Sequence, residues 1–136
     1  MTKLRHCRIY GPCTCVLTTP DFESDAKDAG LSEDEIADMV AWLSANPQAG
    51  ALMKETGGAR KVRFARKGQG KSGGYRTVHY YGGEDVPVFL LALIDKGERD
   101  NLTKAERNAL AAELSCLADD YRSGVAAKLA KMRRRI

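Results

Sequence analysis

The sequence predicts a single α+β domain built around an antiparallel β-meander. Three observations carry this. Strand patterns at residues 60–66, 75–81 and 86–94 follow one another through two turns, the first of them rich in glycine. Two helices begin at capping boxes, Ser32 with Glu35 and Thr103 with Glu106. The chain has 136 residues, enough for one domain that buries roughly two-thirds of its unfolded surface and too few for two ordinary domains or a large cofactor fold.

Residues 1–12 are expected to be flexible. Residues 13–19, CTCVLTT, read as a short strand closed by Pro20. An acidic stretch, 21–30, ends at Gly30. The helix after it opens at Ser32, with Leu31 and Ile36 placed to form a hydrophobic staple. Its buried stripe is Ile36, Met39, Val40 and Leu43, and Asn46-Pro47 ends it. Residues 47–56 are expected to add a helical turn or two. In RKVRFAR, 60–66, Val62 and Phe64 point one way and Lys61 and Arg63 the other, giving a core face and a basic face. The loop KGQGKSGG, 67–74, permits sharp turning. YRTVHYY, 75–81, is the next strand. VPVFLLALI, 86–94, is almost wholly apolar, which predicts a strand near the sheet centre with both faces covered and Pro87 near its start. The last helix carries Leu110, Leu114, Leu117 and Tyr121 on one face. Gly124 is expected to break it, and residues 115–136 form a helical extension ending in Arg133, Arg134 and Arg135.

Net charge is only +4, but it is unevenly spread. Residues 21–58 hold nine acids against Lys27 and Lys54. Residues 59–82 hold Arg60, Lys61, Arg63, Arg66, Lys67, Lys71 and Arg76, with no acid among them. Such asymmetry points to an anionic partner, most often nucleic acid. No apolar run approaches the ~20 residues that span a bilayer, and the start has no apolar core like a secretory signal, so no membrane role is expected. Cys7, Cys13, Cys15 and Cys116 then read as reduced thiols in the cytoplasm. The Cys13-x-Cys15 pair lacks zinc-site spacing and a second ligand pair, so neither metal nor cofactor is expected.

ARKGQGKS, 65–72, satisfies a loose phosphate-loop pattern, but a strand pattern follows it where a helix is needed, so nucleotide hydrolysis is rejected. The basic hairpin has another reading. Lys61, Arg63 and Arg76 on two strands, with Arg66, Lys67 and Lys71 on the loop, give the electrostatic footprint of phosphate-backbone binding; Arg60 adds to it. Tyr75, Tyr80 and Tyr81 offer aromatic faces for bases to stack on. The bland alternative is a solvated hairpin. His79 faces away from Arg76 by strand alternation and reads as structural, whereas Tyr80 shares Arg76's face. Trp42 reads as a packing residue.

GGARKVRFARKGQGKSGGYRTVHYY at 57–81 and VFLLALIDKGERDNLTKAE at 88–106 resemble the RelE/ParE superfamily of type II toxins, within it the HigB-like branch of RelE toxins. The resemblance runs in order over about residues 13–114. It implies a RelE-like fold, a small twisted, mainly antiparallel sheet with flanking helices. It also implies an endoribonuclease that cuts mRNA in the ribosomal A site without metal and so inhibits translation. The partner it implies is a co-expressed antitoxin, commonly with a helix-turn-helix domain, through which alone the toxin meets operator DNA. The family's hairpin arginine matches Arg76, its two basic positions on the preceding strand match Lys61 and Arg63, and its basic residue after the apolar strand matches Lys96. Arg66 and Lys71 match the longer glycine loop of the HigB-like branch. The tyrosine that some RelE proteins carry near the last helix has no counterpart, because positions 101–104 read NLTK.

RNA is cut without metal when its 2′-OH attacks the adjacent phosphate in line. Arg76 and Arg63 suit stabilisation of the phosphorane charge, because guanidinium grips phosphate in a fork. Lys61 is the first candidate base and Lys71 the second, since neighbouring cations disfavour a charged lysine. Lys96 is placed to assist the leaving oxygen or bind phosphate. Two alternatives stand beside this: a ParE-like toxin that poisons gyrase, and a non-catalytic RNA- or ribosome-binding protein.

Overall fold

The computed structural model describes residues 3–5, 15–64, 74–95 and 102–133, the first three as backbone only and the last helix with side chains to Gly124. In chain order the elements are strands β1 (Lys3–Arg5) and β2 (Val16–Thr18), helices α1 (Pro20–Asp28) and α2 (Glu33–Ala45), and strands β3 (Ala51–Leu52), β4 (Arg60–Phe64), β5 (Tyr75–Tyr80) and β6 (Val88–Asp95). Helix α3 (Lys104–Arg133) completes them. The strands form one six-stranded sheet, ordered β1-β2-β6-β5-β4-β3. Every pairing is antiparallel except β2 with β6, which is parallel. The fold is α+β, and β4, β5 and β6 form the expected meander.

Helices α1 and α2 cover one face of the sheet and α3 the other. On the first face Val16, Val62, Tyr75, Val88, Leu90 and Leu93 meet Phe22 and Ala26 of α1 and the predicted α2 stripe of Ile36, Met39, Val40 and Leu43. On the second, Leu17, Val78, Phe89, Leu91 and Ile94 meet Leu114 and Ala118 of α3, with Leu110, Leu117 and Tyr121 packed alongside. Strand β6 is thus apolar on both sides because both sides are covered.

A bulge in β6 links these layers. His79 pairs with Leu90 but Val78 pairs with Ala92, so Leu91 is the extra residue. Leu91 and Ala92 therefore both turn toward α3. Because β2 ends at Thr18, β6 beyond Leu90 lacks a strand partner on that side, and α1 supplies one. Thr19 donates from its backbone and hydroxyl to the Leu90 carbonyl and from its hydroxyl to that of Leu91. The Leu93 N–H donates to Asp25 Oδ2 at 3.2 Å.

Several expectations change here. Residues 20–28, read from the sequence only as part of an acidic stretch, form a helix. Thr19 Oγ1 caps it by accepting from the Phe22 N–H, and Pro20 sits in its first turn, where its missing N–H costs nothing. Pro20 therefore starts a helix rather than merely closing a strand. Residues 47–56 contain no helix; Ala51 and Leu52 pair with Lys61 and Arg60 as an edge strand. Helix α3 runs 30 residues without a break at Gly124, as a lone glycine costs a helix interior only about 1 kcal/mol. Trp42 packs as expected, its ring edge-to-face with Phe64 at 5.6 Å, but it does so at the surface, 42% exposed. Of the segment expected to be flexible, Lys3–Arg5 forms a strand antiparallel to β2.

Both capping boxes form. Glu35 N–H donates to Ser32 Oγ while Ser32 N–H donates to Glu35 Oε1, each at 3.2 Å. Glu106 N–H donates to Thr103 Oγ1 at 3.2 Å and Thr103 N–H to Glu106 Oε1 at 2.9 Å. The turn after β5 is tied to α3 by Arg122, whose Nε and Nη2 donate to the two carboxylate oxygens of Asp85 at 2.5 and 2.8 Å. That guanidinium holds the Asp85 carboxyl below the usual carboxylate range.

Candidate functional site

Strand alternation sorts the cations of the hairpin. Across the β4–β5 ladder Arg63 pairs with Arg76, Lys61 with Val78 and Arg60 with His79. Val78 and the Ile94 partner of Arg76 belong to the α3-side core. Lys61, Arg63 and Arg76 therefore share that face. Arg63 and Arg76 stand directly opposite, with Cβ atoms expected about 4.5–5.5 Å apart, and Lys61 lies one pleat along, roughly 7 Å from Arg63. Arg63 is exposed and Lys61 and Arg76 are half-buried. Strand β3 covers only Arg60 and Lys61, so from Val62 to Phe64 β4 is the sheet's edge.

Three other predicted residues fall elsewhere. Arg60 belongs to the opposite face, and its Nη1 donates to the Gly50 carbonyl at 3.3 Å. Tyr75 is a correction. It is 3% exposed, packed in the α1/α2-side core, so its ring offers no face to a base. Alternation drives it there, one residue from Arg76 and hence on the other side. Tyr80 shares Arg76's face as expected, but sits about 13 Å along the strand. Its ring is half-buried against that core, beside Gly58 and Gly82, where an added Cβ would come within 3.4 and 3.1 Å. Arg66, Lys67, Lys71 and Lys96 lie outside the described residues.

His79 is fully buried, and its Nε2 lies 3.0 Å from the Pro47 carbonyl. A carbonyl only accepts, so Nε2 carries the proton, which leaves Nδ1 as an acceptor. Nδ1 has no partner, and neither has the buried Thr77 hydroxyl on the same face. Burial pushes the imidazole below its ordinary value, the Pro47 bond opposes this, and the charge of Arg60 adds to it. His79 is a neutral structural residue remote from the Arg63–Arg76 face.

Two cavities flank the α3 side with opposite character. One, of about 190 Å³, has Asp21, Asp25, Glu106 and Glu113 in its walls and repels anions. The other, of about 230 Å³, is lined by Ala51, Leu52, Met53, Lys54, Lys61 and Arg107. Arg107 was not singled out by the sequence. The signal for it is faint: a cation in the second turn of a helix, near the end whose dipole disfavours positive charge. Among the described residues no three His, Cys, Asp or Glu side chains gather as metal ligands. Cys15 and Cys116 are exposed free thiols, and Asp120 holds the Cys116 thiol above its usual value, which makes it a poor nucleophile.

The chain matches, over residues 14–135, the family of the RelE toxin of the RelE / RelB toxin-antitoxin system. It belongs to the RelE toxin family. This RelE protein is thus the toxin member of a toxin-antitoxin pair. The match takes in all of α2 through α3, and so both the hairpin and the helix that carries Arg107. Among the described residues no helix is long and apolar enough to cross a membrane.

Proposed function

We propose that this RelE toxin is an endoribonuclease that cuts mRNA in the ribosomal A site and so stops translation. The carrying observation is the convergence of Lys61, Arg63 and Arg76 on one sheet face, with Arg63 and Arg76 directly opposed. A hydrolase built on a nucleophilic side chain would need a base beside the nucleophile, whereas here the assembled groups are cations, suited to a phosphate under attack by the RNA's own hydroxyl.

In this reading the 2′-oxygen bonds to phosphorus and the P–O5′ bond breaks, leaving a 2′,3′-cyclic phosphate and a 5′-hydroxyl. Lys61 in its neutral form takes the 2′-OH proton, with Lys71 the second candidate. Arg63 and Arg76 hold the non-bridging oxygens as charge builds in the phosphorane. Lys96 delivers a proton to the leaving oxygen or binds phosphate. Arg66 and Lys67 bind the flanking strand. The absence of a tyrosine at 101–104 fits a mechanism run by lysine. Tyr75 and Arg60 have no direct part. The antitoxin, with a helix-turn-helix domain, supplies the contact with operator DNA, and the toxin is of the HigB-like branch.

The test is purified toxin with ribosomes and bound mRNA, comparing wild type with Arg76→Ala. Cleavage by wild type and its loss in the variant are expected. No cleavage by wild type would remove the enzyme, and a gyrase supercoiling assay on the same preparation would then show whether the chain acts as a ParE-like toxin. Equal cleavage by both would remove Arg76 from the mechanism.

A further inference from the structure

The Arg107 guanidinium presents a problem that the fold does not solve internally. Its Nε is buried and has no hydrogen-bond partner. Buried donors are almost always satisfied, by protein, water or ligand. The backbone around it is fixed: the Thr103–Glu106 capping box sets the helix start, and Arg107 N–H donates to the Thr103 carbonyl at 3.0 Å. So the Arg107 backbone is held in place, and the residue lines a cavity together with Lys61 and Lys54. Among the described residues no carboxylate lines that cavity. Its wall includes Leu52, a leucine left 61% exposed at the sheet edge, beside Met53.

We propose that Arg107, with Lys54 and Lys61, forms a second phosphate subsite, which holds the phosphodiester next to the one between Arg63 and Arg76. Arg107 lines the cavity and brings its positive charge to a phosphate held there. Leu52 and Met53 give the attached sugar or base an apolar wall. Lys61 belongs to both subsites, so the RNA strand runs along the face from the Arg63–Arg76 pair toward β3 and the start of α3. The acidic cavity on α3's other flank, with Glu106 in its wall, closes the alternative path. That the ligand is RNA rests on the function proposed above; the subsite itself rests on Arg107.

The experiment measures binding of a labelled, uncleavable 2′-O-methyl oligonucleotide of about ten residues by anisotropy, between about 50 and 200 mM salt. Arg107→Met keeps the apolar stem and loses the charge. It is expected to bind about tenfold more weakly at low salt, with the slope of log K against log salt reduced by about 0.7. Arg107→Lys keeps the slope and only part of the affinity, which a merely structural role would not produce. An unchanged slope in Arg107→Met, or no binding by wild type, overturns the subsite. Binding that depends on Arg107 without any cleavage on ribosomes leaves the subsite standing and removes the nuclease.

Discussion

Arg63 and Arg76 are direct cross-strand partners on β4 and β5. Like charges in that relation destabilise a sheet, so the pair is costly unless anionic groups lie against it. In the proposed function a phosphate held between the two guanidinium groups offsets that repulsion. Replacing either arginine by alanine is expected to lower kcat/KM for mRNA cleavage by about 10²–10³, the scale of losing one preorganised donor to developing charge. The double variant should lose less than the product of the two, because both act on one phosphate. Unfolding midpoints should be retained; a fall in activity matched by a fall in midpoint would assign the pair to folding.

Tyr75 adjoins Arg76 in sequence but serves the opposite layer. Tyr75→Phe is expected to cleave mRNA at the wild-type rate. Tyr75→Ala should lower stability by about 3–5 kcal/mol, as for other large aromatic truncations in a core. Loss of activity in Tyr75→Phe with unchanged urea denaturation would return the residue to the RNA site.

Two glycines should respond to alanine in opposite directions. Gly50 has a φ of +89°, and a Cβ there would overlap the Lys61 carbonyl oxygen and come within 2.6 Å of Val62 Cγ2. Gly50→Ala is expected to cost about 2 kcal/mol or more and to depress cleavage by shifting β4 under Lys61. Gly124 lies within α3 with open space around an added Cβ. Gly124→Ala should stabilise by about 0.5–1 kcal/mol. Urea unfolding of both variants reads the contrast.

His79 predicts how stability varies with acidity. Its folded pKa lies below the ordinary 6.5. Above 6.5 neither state takes up a proton and the residue contributes no pH dependence. As the pH falls below 6.5 the unfolded chain binds a proton that the folded chain refuses, so stability is lost until the folded pKa is passed. His79→Gln retains a donor for Pro47 and cannot titrate. Its urea midpoint should change less than wild type between pH 8 and pH 5; equal changes would clear His79 of the effect.

The meander was legible because its signals are local. Val62 and Phe64 alternate with Lys61 and Arg63, and glycines mark the hairpin turn. The same alternation separated Arg76 from His79 and placed Tyr80 correctly by face. It would equally have sent Tyr75 into the core, but aromatic content drew it to the RNA side. Helix α1 was missed because its one helix-stop residue, Pro20, is also a good first-turn residue, and its buried content is only Phe22 and Ala26. Strand β3 has two residues, both exposed, so only its partner β4 reveals it. Arg107 and Lys61 line one cavity from distant parts of the chain, a proximity that no local pattern encodes.

The parallel pairing of β2 with β6 sets an order of events as the chain is made. Thr19 bonds to Leu90, 71 residues later, and contacts of such separation close late because a long loop must close first. The β4–β5 hairpin can begin to form as it emerges, but it has no central strand to rest on until β6 follows, and Arg107 arrives later still. A product that stalls before β6 carries Lys61, Arg63 and Arg76 without the scaffold that aims them. The cationic face is therefore assembled among the last events of this toxin's own synthesis.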